Sequence, residues 1–251
     1  MPSPEDAQTI QGALKDLVTL LIRDLHRLWQ LIQGENLDAV QTRDMLIAAS
    51  PDLVNPYASA AAKLTAVWYD QLAPNLAYQA VTAAAPVAPQ LAASVRWAVS
   101  PLFGQPPDAA PDDTLARLAG SMQRRVFDAS RQTVILNAAH EPGTRYARYA
   151  SPTACAFCRM LATRTTEADG LYFSKQSATR VVGRGGRPRG TQAIGDRFHD
   201  NCKCVAVAIR PGDTYEPPDF VAKWDKEYKT AAANGGGVKS ILREMRKNDI
   251  H

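Results

Sequence analysis

Four cysteines and one histidine stand at spacings suited to holding a metal ion. The pattern is CAFC at 155–158, then 40 intervening residues, then HDNCKC at 199–204. Zinc takes four soft or borderline ligands in a tetrahedron. A C-x2-C turn brings the thiols of Cys155 and Cys158 to one side of an ion. A C-x-C pair in an extended strand points Cys202 and Cys204 to the same face, because strand side chains alternate with period two. His199, three residues before Cys202, can reach in from the turn that precedes the strand. Five candidates for four places leave one over. Cys155, Cys158 and Cys202 form the nucleus of the expected set, and the fourth ligand is His199 or Cys204, a choice that spacing leaves open.

Other readings of these residues compete. Buried cysteines also serve as small hydrophobes, and disulfides belong to oxidising compartments. A redox-active C-x2-C needs a βαβ setting, which the irregular surroundings do not suggest. A catalytic zinc would keep one coordination position open and a carboxylate nearby. Asp196 and Asp200 are close in sequence, yet four protein ligands leave no place for water, so the structural reading is favoured. The chain has no H-E-x-x-H, and the order and missing glutamate of its motif do not fit a zinc deaminase. Its four histidines, His26, His140, His199 and His251, have no supporting G-x-S-x-G, and no Walker loop is present. The expectation is a protein that is not an enzyme.

Composition frames these residues. The 251-residue chain is 45% hydrophobic and 22% charged, an ordinary globular balance. No apolar run approaches the roughly 20 residues of a membrane helix. The start MPSPEDAQTI has neither a basic end nor an apolar core, so no signal peptide is expected, and synthesis in a reducing cytoplasm follows. All four cysteines lie between 155 and 204, which in a reduced chain favours metal ligation. Charge is divided unevenly. Residues 1–150 carry 12 Lys and Arg against 14 Asp and Glu, net −2, whereas residues 151–251 carry 17 against 11, net +6. A polyanion or an acidic surface is the natural neighbour of the second part.

The elements that must position the cysteines are mostly helical. Ile10, Leu14, Leu17, Leu21, Leu25, Leu28 and Ile32 recur at three- and four-residue steps, predicting a helix over about 8–33. A shorter helix is expected around Leu37–Ile47, ending at Ser50-Pro51. Another is expected from Asn55-Pro56 to Leu72. One or two short helices are expected within 76–100, then a linker at 102–113. A long helix follows, capped by Asp112 or Asp113, with Leu115, Leu118, Met122, Val126, Ala129, Thr133 and Leu136 as its stripe. After Pro142-Gly143 the texture changes. Strands are expected at Arg145–Tyr149, Leu171–Phe173 and Val205–Ile209, helical turns at Ala156–Leu161, a helix capped by Asp219, and a last basic helix at Val238–Lys247. The stretch GRGGRPRG at 183–190 reads as a mobile basic loop without regular structure. Trp29, Trp68 and Trp97 read as core. The expected fold class is α+β: a mainly helical bundle at 1–142, a small zinc-stabilised α+β module at 143–212, and a helical tail at 213–251.

The order of these segments resembles a known family. A helix containing SRQTV leads to TACAFCRMLATR, a short YF, a glycine-rich loop, FHDNCKCVAV, an F-V-x-x-W-D-x-x-Y helix and ILREMR. This is similar to the MuF-like minor capsid (head morphogenesis) proteins of tailed bacteriophages, in the form found among phages of actinobacteria. The resemblance is most specific at Cys155, Cys158, Phe198, His199, Cys202, Cys204 and Trp224-Asp225. It implies a portal-associated protein inside the head of the virion, made in the host cytoplasm. Its partners would be the portal protein, the major capsid protein or both, with packaged DNA reached through Arg184, Arg187 and Arg189, and no membrane. The alternatives within such a setting are a capsid maturation protease or a DNA-binding internal head protein.

Overall fold

A computed structural model describes residues 3–104, 113–163, 181–182, 188–189, 202–213, 216–235 and 237–247. The fold is α+β and mostly helical. Helix α1 spans Pro4–Gly34 and begins earlier than the apolar periodicity indicates. A capping box explains the difference: the Asp6 N–H donates to Ser3 Oγ and the Ser3 N–H to Asp6 Oδ2, with Pro4 in the first turn. Its buried stripe is Ala7, Ile10, Leu14, Val18, Leu21, Leu25 and Ile32.

Helix α2 runs unbroken over Ala39–Gln71, capped by Asp38 and Gln41. The sequence predicts two helices over this span, divided at Pro51 and Asn55-Pro56. A proline inside a helix costs about 3 kcal/mol or more, partly because the carbonyl four residues earlier loses its donor. Here the carbonyl opposite Pro51 is that of Ile47, and the Ser50 hydroxyl donates to it at 2.9 Å. The carbonyl opposite Pro56 belongs to Asp52, an exposed residue. Burial of Leu46, Val54, Ala58, Ala61 and Tyr69 along one face then holds the helix through both prolines.

The span 76–100 holds one α-helix, α3 (Ala88–Ala98), followed by a 3-10 turn at Ser100–Phe103. The chain before it stays extended because side chains of its neighbours satisfy its backbone. Asn137 accepts from the Val81 N–H and donates to the Val81 carbonyl, both at 2.8 Å. Thr133 and Asp70 accept from the Ala83 and Ala80 N–H groups. Trp97, expected in the core, is half exposed, with the Arg117 guanidinium over its ring.

Helix α4 (Asp113–His140) lies at the centre and buries Leu118, Met122, Val126, Ala129 and Thr133. Leu115 and Leu136 of the expected stripe are only half-buried. Strand β1 (Arg145–Tyr149) pairs antiparallel with β4 (Val205–Ile209), in a register that sets Arg145 opposite Ile209 and Tyr149 opposite Val205. Tyr146, Ala147, Tyr149 and all five residues of β4 enter the same core as α1, α2, α3 and α4. Gly143 makes the turn into β1 with φ +73°, and a Cβ there would meet Pro211 at 2.9 Å. Only glycine suits both constraints.

Where these elements converge sits a buried ion pair. Arg210 Nε donates to Glu141 Oε1 at 2.7 Å, and the Tyr69 hydroxyl donates to Glu141 Oε2 at 2.6 Å. The Arg210 guanidinium also lies 4.5 Å from the centre of the Tyr69 ring. Burial, with the Glu141 hydrogen bond, pushes the Tyr69 hydroxyl far above its usual range.

Helix α5 is short (Ala156–Ala162), and α6 (Asp219–Ala233) and α7 (Val238–Arg246) close the described chain. Asp219 was expected as the cap of α6. The cap position is Pro218, without a side-chain hydrogen bond, and Asp219 falls in the first turn. Within the stretch read as lacking regular structure, Pro188–Arg189 (β3) pairs antiparallel with Val181–Val182 (β2). The expected strand at Leu171–Phe173 and the rest of that loop lie outside the described residues.

Candidate metal centre

The cysteines are brought together by two elements of different kinds. Cys155 is the N-cap of α5, with extended φ −63° and ψ 160°, and its Sγ accepts from the Cys158 N–H at 3.5 Å. That turn places Cys158 on the inner side of α5. Cys202 and Cys204 lie in the run that leads into β4. Their sulfurs and that of Cys158 all lie within 4.8 Å of one another, with Cys158 Sγ and Cys202 Sγ 3.2 Å apart. Cys158, Cys202 and Cys204 are buried, and Cys155 is half-buried at the edge of the same cluster. Ala150, Ala162, Val221 and Trp224 complete the enclosure, and Phe220 packs on Trp224 at 4.8 Å between ring centres.

The donor set fits a tetrahedral ion. Zinc–sulfur bonds of about 2.3 Å put neighbouring sulfurs roughly 3.8 Å apart, within the range that this cluster spans. The electrostatics point the same way. The Cys202 thiol is pulled far down by hydrogen bonds from Cys158 and Cys204 and by the charge of Arg131. The Cys158 thiol is pushed well up by hydrogen bonding to Cys155, Cys202 and Cys204, and by burial. For Cys204 the hydrogen bond to Cys158 acts downward, but the one to Cys202 and burial outweigh it, so its thiol is also raised. A bound cation is what lets several thiols in one pocket deprotonate together.

The extended C-x-C run is held by side chains that the motif reading missed. Arg131 of α4, 1% exposed, donates from Nε to the Cys204 carbonyl at 2.7 Å and from Nη2 to the Cys202 carbonyl at 2.9 Å. Gln11 of α1 donates to the Lys203 carbonyl at 2.6 Å. A signal for Arg131 was present, since it lies four residues after Phe127 and three before Val134, on the buried side of α4. Gln11 carried the same mark on α1, four residues after Ala7 and three before Leu14.

Of the five candidate ligands, Cys158, Cys202 and Cys204 are therefore clustered, and Cys155 abuts them through the turn of α5. His199 lies outside the described residues. His26 and His140 are both exposed. A family model described as VG15 protein matches residues 1–231. The chain belongs to the VG15 protein family. That family is viral, so the chain is read as a phage protein. No curated protein and no solved structure matches it. Among the described residues of this VG15 protein, no helix is long and apolar enough to cross a membrane.

The second side of α5 faces the C-terminal helices. Arg159 donates to Glu227 of α6 at 3.1 Å and to the Met245 carbonyl of α7 at 2.8 Å. Ala156, Met160 and Leu161 pack with Tyr228, Ala231, Ile241, Leu242 and Met245. One seven-residue helix thus carries a cysteine of the cluster on one side and the anchor of the chain's last two helices on the other.

Proposed function

We propose that this VG15 protein is a MuF-like minor capsid protein of a tailed actinobacteriophage. In this reading it acts structurally in head morphogenesis, bound inside the head near the portal, with a zinc ion held by Cys155, Cys158, Cys202 and Cys204. The observation that carries the reading is the closed thiol cluster at the junction of the strand pair, α5 and α6. Its three sulfurs are buried, which supports a cross-linking role for a metal there. When bound, zinc supplies a tetrahedral cross-link and no redox chemistry. The motif order from SRQTV to ILREMR and the viral family support the assignment to the head. The bundle at 1–142, the module at 143–212 and the tail at 213–251 are the proposed working parts.

Non-enzymatic action is part of the proposal. Mass spectrometry of purified virions should find this chain at a fixed ratio to the portal protein, with capsid protein termini unchanged when the chain is absent. Its absence from virions, or capsid processing that depends on it, overturns the reading. Contact with packaged DNA through Arg184, Arg187 and Arg189 is proposed as well. The exposed Lys239, Arg243, Arg246 and Lys247 of the tail favour it, and retention on duplex DNA that is insensitive to salt counts against it.

A further inference from the structure

The strand pair ends before the cysteines begin. Tyr149 is the last residue of β1 and stands opposite Val205, the first residue of β4. The run from Cys202 to Cys204 therefore extends past the end of its partner strand. Carbonyls beside a buried cluster need donors, and among the described residues no strand pairs with this run. Arg131 and Gln11 take that place. In extended chain, alternate carbonyls point to the same edge, as alternate side chains point to the same face. The fork of Arg131 takes the carbonyls of Cys202 and Cys204, and Gln11 takes the carbonyl of Lys203 between them. A chain gripped at alternate carbonyls is held extended, and an extended C-x-C is what sets both thiols toward Cys158.

Charge acts in the same sense. Four thiolates around a dication leave a net −2 in an enclosed site. Arg131 is 1% exposed, and its guanidinium sits directly on the carbonyls of Cys202 and Cys204. Asp128 pairs with Arg131 at 2.7 Å on its outer side, its own side chain being a quarter exposed. A guanidinium remains charged under all ordinary conditions and presents a planar fork, two properties that a lysine does not combine.

We infer that Arg131 is the positioning residue of the metal centre, fixing the geometry and offsetting the charge of the Cys202–Cys204 half of the site without binding the ion. The inference rests on the metal reading proposed above. It assigns to α4, a helix of the bundle, a direct part in metal affinity, as outer partners of ligands do elsewhere at about 10–100-fold in affinity.

The test compares R131M and R131K with the wild type and with R210M, which breaks the buried Glu141 pair away from the cysteines. Each full-length protein is loaded with zinc, and its release to a chelator is followed. Cobalt is then substituted and its visible absorption recorded. Release from R131M should be faster by about 10–100-fold, with weakened or shifted cobalt bands. R131K, which keeps the charge but cannot span both carbonyls, should fall between. R210M should melt lower yet release zinc at the wild-type rate. If R131M does not fold, R131K carries the comparison. Wild-type release from both Arg131 variants overturns the inference, and so does equal acceleration in R210M, which would mean general loosening. A wild-type chain that takes up neither zinc nor cobalt overturns the metal reading itself, an outcome distinct from the other two.

Discussion

Cys158→Ser should abolish stoichiometric zinc binding and release the C-terminal helices from the rest of the chain. Serine is close in size to cysteine, so the change leaves little cavity, and its hydroxyl is a poor zinc ligand. The expected loss is therefore that of the metal. Structural zinc contributes about 10–16 kcal/mol of apparent binding energy in zinc-finger peptides, and that energy acts as folding energy. Cys158 shares its cluster with Val221 and Trp224 of α6. The residues after it, Arg159, Met160 and Leu161, hold α6 and α7. Hydrogen exchange should show α5, α6 and α7 losing protection while the centres of α1, α2 and α4 keep theirs, because those helices share a separate large core. Full zinc content with unchanged protection of α6 in this variant would mean that Cys158 is not a ligand.

Arg210→Met should destabilise the protein by about 3–5 kcal/mol, the usual cost of leaving one member of a buried ion pair without the other. Glu141 and Arg210 are each 9% exposed at the side chain, so water does little to compensate. The Tyr69 hydroxyl remains on Glu141, but one neutral donor does not balance a buried carboxylate. The double variant Glu141→Leu with Arg210→Met should be more stable than the single one, since it removes both charges and fills the space with apolar atoms. Urea unfolding at neutral pH measures both. A single variant within about 1 kcal/mol of wild type would show that the pair is screened as a surface pair is.

The sequence made some of this architecture legible and concealed other parts, for identifiable reasons. The stripes of α1 and α4 follow from three- and four-residue spacing, β4 from its short apolar run, and β1 from the change of texture after Pro142-Gly143. The cysteine spacing pointed to one site, and the structure brings Cys204 into it beside Cys158 and Cys202. Prolines misled the reading of α2, because a local rule places a break at Pro51 while Ser50 and a long buried face restore continuity. The extended run before α3 was hidden for the converse reason. Its backbone partners are side chains of Asp70, Thr133 and Asn137, the last two 50 and 56 residues away, and nothing local announces them. Trp97 was assigned to the core by residue type, yet it lies half exposed beneath Arg117. Arg131 and Gln11 are the main omissions at the site. Motifs name atoms that bind a ligand, whereas these two bind only the backbone of the residues that do.

Four cysteines of this VG15 protein are proposed to form one closed metal centre. The most direct measurement is elemental analysis of freshly purified, reduced protein, followed by X-ray absorption at the metal edge of the same sample. About one zinc per chain is expected, surrounded by four sulfurs at about 2.3 Å with no light-atom neighbour. A protein free of metal, or a zinc bound by nitrogen or oxygen in place of one or more sulfurs, would contradict it.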